Sequence, residues 1–244
     1  MADIELPLTD HLGELRTRLV RALIATTIAF AFCYPQAQYI FEFLLTPLRQ
    51  AAAGMSGTEG LTLIGTGVAE AFFTRLKVSF VAALFVALPV ILYQIWMFVL
   101  PGLKSLEAGY ARGFVVAGSL FFIGGAWFCY AVVFDFGFPF FLAEYERIGV
   151  DPAIRISEYL SFTSRLLLAF GITFELPVAT FFLARVGLVT HLTLIRYGRY
   201  AFLGTFVLAA ILTPPDVVSQ ILMAGPLLLL YGLSIGVAYV FGKK

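Results

Sequence analysis

The sequence predicts an all-α polytopic membrane protein: six transmembrane helices in a curved, concave bundle, forming one domain over residues 1–244 with both termini cytoplasmic. Three observations lead there. Of 244 residues, 61% are hydrophobic and 13% charged, whereas a soluble domain averages about half apolar and a quarter charged. The apolar residues gather into runs long enough to cross roughly 30 Å of hydrocarbon at about 1.5 Å per residue. The sixteen Lys and Arg residues are unevenly shared between the two ends of those runs, which sets orientation.

Residues 1–18 read as a cytoplasmic amphipathic segment. In His11-Leu12-Gly13-Glu14-Leu15-Arg16-Thr17-Arg18-Leu19, leucines and charged groups interleave at helical spacing, so the segment can lie on the bilayer and lead into a span. From the residues alone, Arg16, Arg18 and Arg21 hold the N-terminus inside, and Glu14 is a surface partner of Arg18 at i,i+4. Asp3, Glu5, Asp10 and Glu14 stand where a cleaved leader would be basic, so the first span is expected to be a retained anchor.

The first span covers about 19–45, interrupted at Tyr34-Pro35, and a Gly-, Ser- and Thr-rich outer loop follows from Thr46-Pro47 to Gly67. The second, about 76–100, ends in interfacial Trp96 and Phe98 and is broken by Pro101-Gly102. A short connection with Lys104, Glu107 and Arg112 leads to a third span at 113–134. Residues 135–158 read as a second outer loop, and the fourth span covers 159–184. After a basic connection containing His191, the fifth run, 200–213, has room for only about fourteen residues, or roughly 21 Å. Such a span must thin the bilayer or shelter among neighbours. Thr213-Pro214-Pro215-Asp216 makes the turn into a sixth span, 217–241, ending at Lys243-Lys244.

Ten basic residues then lie on one side (Arg16, Arg18, Arg21, Lys104, Arg112, Arg185, Arg196, Arg199, Lys243, Lys244) and six on the other (Arg49, Arg75, Lys77, Arg147, Arg155, Arg165). That excess places both termini in the cytoplasm. Pro89, Pro177 and Pro226 fall inside the second, fourth and sixth spans. Each removes a backbone donor and bends its helix; bends in a common direction make a concave, lipid-facing groove.

A few polar groups need a reason to be in the membrane. Glu175, among Phe174, Leu176 and Pro177, must be protonated, hydrated or paired, and is read either as bonded to a carbonyl freed by Pro177 or as lining an intramembrane groove. Gln94 and Gln220 suit interhelical hydrogen bonding, with Gln94 a second candidate for the groove. Glu107, an ordinary loop acid by itself, would lie beside Glu14 on a face otherwise dominated by cations. Two carboxylates there can each receive a guanidinium fork, which distinguishes arginine from lysine by geometry as well as charge.

Other chemistries are not supported. A net charge of +1 offers no basic surface for nucleic acid. Cys33 and Cys129 lie in apolar runs as packed thiols. No zincin or serine-nucleophile motif appears, and His11 and His191 lie outside the spans, so no catalytic residue, metal or cofactor is expected.

The string from His11 to Leu19 resembles the H-L-x-E-L-R-x-R-L signature of the TatC family, the multi-spanning receptor and core subunits of the twin-arginine protein translocase. Pro89-Val90-Ile91-Leu92-Tyr93-Gln94-Ile95-Trp96, then Pro101 and Glu107, resembles that family's second span and first cytoplasmic loop. Phe170-Gly171 with Phe174-Glu175-Leu176-Pro177-Val178, and Thr213-Pro214-Pro215-Asp216-Val217 with Ser219-Gln220, are similar to its fourth span and last outer turn.

The resemblance implies a non-enzymatic translocase subunit of the bacterial inner membrane, without nucleotide hydrolysis, moving folded precursors by proton motive force. It implies signal-peptide contacts at Glu14 and Glu107, shaped by Leu15, Arg16 and Phe98, and a groove at Glu175. Pro47 and Asp216 would organise the outer surface, and Thr213 and Gln220 would lie where single-span TatA-like and TatB-like partners dock. Membrane lipid, twin-arginine signal peptides and further copies in a receptor complex complete the implied partners. Two departures stand out. Gly232 follows Tyr231 where many relatives carry an acid, and Val68-Ala69-Glu70-Ala71-Phe72 only loosely follows the family's outer loop. A proton-coupled transporter of a small solute using Glu175 is the alternative, with no internal repeat to favour it and no use for paired cytoplasmic carboxylates.

Overall fold

The computed structural model describes residues 8–54, 63–99, 108–213 and 216–242. Eight helices dominate them: α1 (Leu8–Cys33), α2 (Ala37–Ala53), α3 (Glu70–Val99), α4 (Ala108–Phe128), α5 (Phe134–Arg147), α6 (Ile156–Val186), α7 (His191–Leu212) and α8 (Val217–Phe241). The end of the bundle where α1 begins and α3 finishes is called the near face below; the opposite end is the far face.

The first apolar run, expected as a span over 19–45, is sharply bent. The helix stops at Cys33, and α2 leaves at 85° to α1. Pro35 cannot donate to the helical ladder; the turn is closed by bonds from Gln36 N to Cys33 O (3.0 Å) and from Ala37 N to Tyr34 O (3.3 Å). Arg75 of α3 lies over the Tyr34 ring, 4.5 Å from its centroid. Residues 37–53, expected as the end of a span and an outer loop, thus form a separate helix crossing the far face.

α2 is held there by its buried stripe Leu44, Leu45, Pro47, Leu48 and Ala52, packed on α3 and α5. Pro47 leaves the Phe43 carbonyl, four residues earlier, without its helical donor. The Tyr130 hydroxyl donates to that oxygen at 2.8 Å, and the Tyr159 hydroxyl donates to Leu44 O at 2.5 Å.

The region 135–158, expected as a loop, is largely helical. α4 runs through a π-helical turn at Cys129–Val133 directly into α5, because Phe134, Phe138 and Leu142 recur at i, i+4 and i+8 and all are buried. Two residue pairs then form a short parallel ladder, Leu63 with Ile154 and Ile64 with Arg155, joining the two far-face loops. α7 also exceeds its apolar core of about fourteen residues: it is 22 residues long, since Thr190 caps it by accepting from Thr193 N at 3.2 Å.

The long helices pack as an open row. α1 lies on α3, α3 on α4 and α6, α4 on α6, α6 on α8, and α8 on α7. The α4–α6 contact is set by glycine. A Cβ on Gly125 would stand 2.6 Å from Phe170 O and from the Phe174 ring, and one on Gly171 would stand 2.7 Å from the Phe122 ring. Small residues let membrane helices approach closely, here around a core of Phe134, Phe170, Leu160 and Cys129. α7, at the end of the row, leaves Tyr197, Leu203, Leu208 and Ile211 exposed.

Candidate functional site: a carboxylate–guanidinium pair at the near face

Glu14 and Arg18 are one turn apart on α1, and the helix brings their side chains together. Arg18 donates to Glu14 Oε1 from Nη2 at 2.8 Å and from Nε at 3.3 Å. The pair is sheltered, with side-chain exposures of 16% for Arg18 and 25% for Glu14. A third bond runs from Arg18 Nη1 to Gln94 Oε1 of α3 at 3.4 Å. Gln94, expected in the intramembrane groove, is therefore a buried strut, 8% exposed, joining α1 and α3. Among the described residues Glu14 Oε2 accepts nothing, so the carboxylate keeps acceptor capacity for a second cationic donor.

Around that carboxylate, Leu15 is 43% exposed and Leu12 and Leu19 are also exposed, an apolar stripe along the same helix. Arg16 is exposed and forms none of these bonds. Phe98 is half-buried in the last turn of α3. Below it, Trp96 packs on Phe114 and Phe182 at centroid distances of 4.5 and 4.6 Å, a rigid aromatic floor tying α3, α4 and α6. Glu107, the second expected acid, lies outside the described residues.

Glu175 lies within α6, eleven residues before its end at Val186. Its carboxylate rests on Gly118 of α4: a Cβ there would stand 3.0 Å from Oε2 and 3.1 Å from Leu92 Cδ1. Oε1 is buried with no hydrogen-bond partner among the described residues, so the reading of an acid bonded to a carbonyl freed by Pro177 is not what the geometry shows.

Of the remaining expected residues, Thr213, Asp216 and Gln220 lie at the α7–α8 turn. Asp216 caps α8: Oδ1 accepts from Ser219 N at 2.7 Å and Oδ2 from the Ser219 hydroxyl. Burial acts to raise this carboxyl, but the bonds from Ser219 and Val218 outweigh it and hold the group below the usual aspartate range. Gln220 Nε2 donates to Phe206 O at 2.9 Å, fastening α8 to α7, and the Thr213 hydroxyl donates to Ala209 O at 2.9 Å. Pro47 is buried in α2, away from this turn.

Two polar junctions were not anticipated. The Arg18–Gln94 link joins residues 76 apart in sequence, and no local spacing signals it. Glu70 accepts from Thr66 N (2.5 Å) and Gly67 N (3.1 Å) while its other oxygen accepts from Ser157 N (3.1 Å), stitching both far-face loops to α3. Thr66 and Glu70 are four apart where a capping box needs three, so no local spacing announces this junction either.

Comparison with known proteins is consistent along the chain. Residues 10–226 match the family model described as TatC, Sec-independent protein translocase protein. The TatC protein of Desulforapulum autotrophicum is 47% identical over 98% of this chain and 86% of its own length. That of Magnetococcus marinus is 42% identical over 94% and 82%. A solved structure described as the twin-arginine translocase receptor TatC superposes with a TM-score of 0.83 at 35% identity, covering 93% of this chain and 97% of that one.

Proposed function

Because the chain belongs to the TatC family of Sec-independent protein translocase proteins, we propose that it is the receptor subunit that reads twin-arginine signal peptides at the near face, which is the cytoplasmic one. The observation that carries this is the Glu14 carboxylate: among the described residues it receives two guanidinium nitrogens of Arg18 on one oxygen and keeps the other open. A half-sheltered carboxylate strengthens such charge-assisted bonds, and the planar fork of arginine uses it better than the ammonium of lysine. Leu12, Leu15 and Leu19 offer the apolar part of a signal peptide a track on the same helix, with Arg16 and Phe98 at its margin. Glu107 supplies the second acid, so that each arginine of the pair meets one carboxylate.

The rest of the reading follows the family. Glu175 faces the groove entered by the signal peptide or a partner helix. TatA-like and TatB-like single-span proteins dock at the turn carrying Thr213 and Gln220, in a receptor complex with further copies of this chain. The protein resides in the bacterial inner membrane with both termini inside, and transport of folded precursors draws on proton motive force without nucleotide hydrolysis in this subunit. Binding of a fluorescent signal peptide to the protein in nanodiscs tests the core of this. Replacing Arg-Arg by Lys-Lys weakens binding about tenfold or more, the worth of at least one charged hydrogen bond. Equal binding of both peptides refutes arginine reading.

A further inference from the structure

Two cations on the far-face halves of α3 and α6 flank Ser161. Lys77 Nζ donates to Ser161 Oγ at 2.6 Å, and Ser161 Oγ donates on to Ser157 O at 2.5 Å. Arg165 lies one turn beyond Ser161 on the same side of α6. Both are exposed. Among the described residues the ion pairs are Arg18–Glu14, Arg147–Glu144 and Arg155–Glu158, and neither Lys77 nor Arg165 belongs to one. Glu70, the acid of the same loop junction, is engaged by the N–H groups of Thr66, Gly67 and Ser157.

Depth makes this pair costly. Lys77 is seven residues into α3 and Arg165 nine into α6, roughly 10 and 13 Å along their axes. The apolar runs of these two helices begin at about residues 76 and 159, so the two charges lie at or just inside the start of the hydrocarbon-length segments, where unpaired cations are expensive. The surfaces continuing inward on the same helix sides are apolar and open: Phe80, one turn past Lys77, is 50% exposed, and Ile172, two turns past Arg165, is 63% exposed. A free anion would answer the charge and leave this apolar track bare. A ligand with an anionic head and a hydrocarbon tail answers both.

We propose that Lys77, Ser161 and Arg165 form a binding site for the phosphodiester of an anionic phospholipid in the far-face leaflet, its acyl chain running past Phe80 and Ile172. The ammonium and guanidinium clamp the phosphate oxygens, and Ser161 fixes Lys77 toward them. The site does not depend on the signal-peptide reading. Native mass spectrometry of the purified protein with equal phosphatidylglycerol and phosphatidylcholine tests it. The wild type retains phosphatidylglycerol preferentially. Each juxtamembrane cation contributes about fivefold to binding an anionic lipid, so Lys77→Gln with Arg165→Gln lowers its retention roughly thirtyfold. Lys77→Arg with Arg165→Lys keeps it, which separates loss of charge from misfolding, and Arg155→Gln, at an ion-paired position on the same face, leaves it unchanged. Equal retention of the two lipids by the wild type, or undiminished phosphatidylglycerol on the double glutamine variant, overturns the proposal.

Discussion

Glu14 and Asp216 are both carboxylates at helix ends, yet their surroundings give them different work. Asp216 spends its oxygens on Ser219, a structural cap. Asp216→Ala therefore costs about 1 kcal/mol of stability at neutral pH, read as a lower unfolding temperature in detergent. Because the folded carboxyl is held below its usual range, the ionised form is the stabilising one. The contribution is complete above the unfolded aspartate value and disappears as pH falls through the lower folded value, so wild type and variant converge at strongly acid pH. Glu14 spends one oxygen on Arg18 and is free to bind. Glu14→Lys is expected to abolish peptide binding while the protein still inserts and keeps its helical content, since the site lies at the edge of the bundle. The i,i+4 pairing of Glu14 with Arg18 was legible from spacing alone. The role of Gln94 was not, because a glutamine among apolar residues announces a hydrogen bond without naming the helix that supplies it.

At the scale of elements, apolar runs mark where helices occur but not where they end. Composition stops a span where polar residues begin, whereas the helix continues as long as caps and a buried stripe support it. Thr190 extends α7 backwards through Arg196 and Arg199, and the Phe134, Phe138, Leu142 stripe carries α5 through what reads as a loop. The turn at Tyr34–Gln36 had a visible cause in Pro35, but the 85° that it produces depends on α2 finding its place on α3 and α5. The hydroxyl of Tyr130 on the carbonyl freed by Pro47 is one fastening of that place. Tyr130→Phe removes it at a cost of about 1 kcal/mol, and hydrogen exchange is expected to quicken in α2 while α3 is unchanged. Between α4 and α6 the fit is tighter. Gly125→Val drives side-chain atoms into Phe170 and Phe174 and destabilises by about 1–3 kcal/mol or more. Gly124→Ala, where nothing lies within 4 Å of an added Cβ, is tolerated; a thermal shift in detergent distinguishes the two.

For the whole molecule, the row from α1 through α3, α6 and α8 to α7 separates three kinds of chemistry. The Glu14–Arg18 pair sits at the near face, a buried carboxylate lies against Gly118 within the row, and separate fastenings at Glu70, Asp216 and Gln220 order the far face. The helical membrane class was readable from composition and run length, and the family from four short motifs in order. The order in which helices pack was not readable, since it rests on glycines whose neighbours lie far along the chain: Phe170 and Phe174 for Gly125, and Phe122 for Gly171. The alternative of a small-solute transporter needs Glu175 to be the working acid and leaves the Glu14 arrangement idle.

The two accounts part most directly in site-specific photocrosslinking, in membranes with partner subunits present, between positions flanking Glu14 and a precursor carrying a twin-arginine or a twin-lysine signal peptide. The receptor account predicts strong crosslinks at Leu12 and Leu15 with Arg-Arg that vanish with Lys-Lys and in Glu14→Gln. Crosslinks of equal strength with both signal peptides, or unchanged in Glu14→Gln, would contradict it.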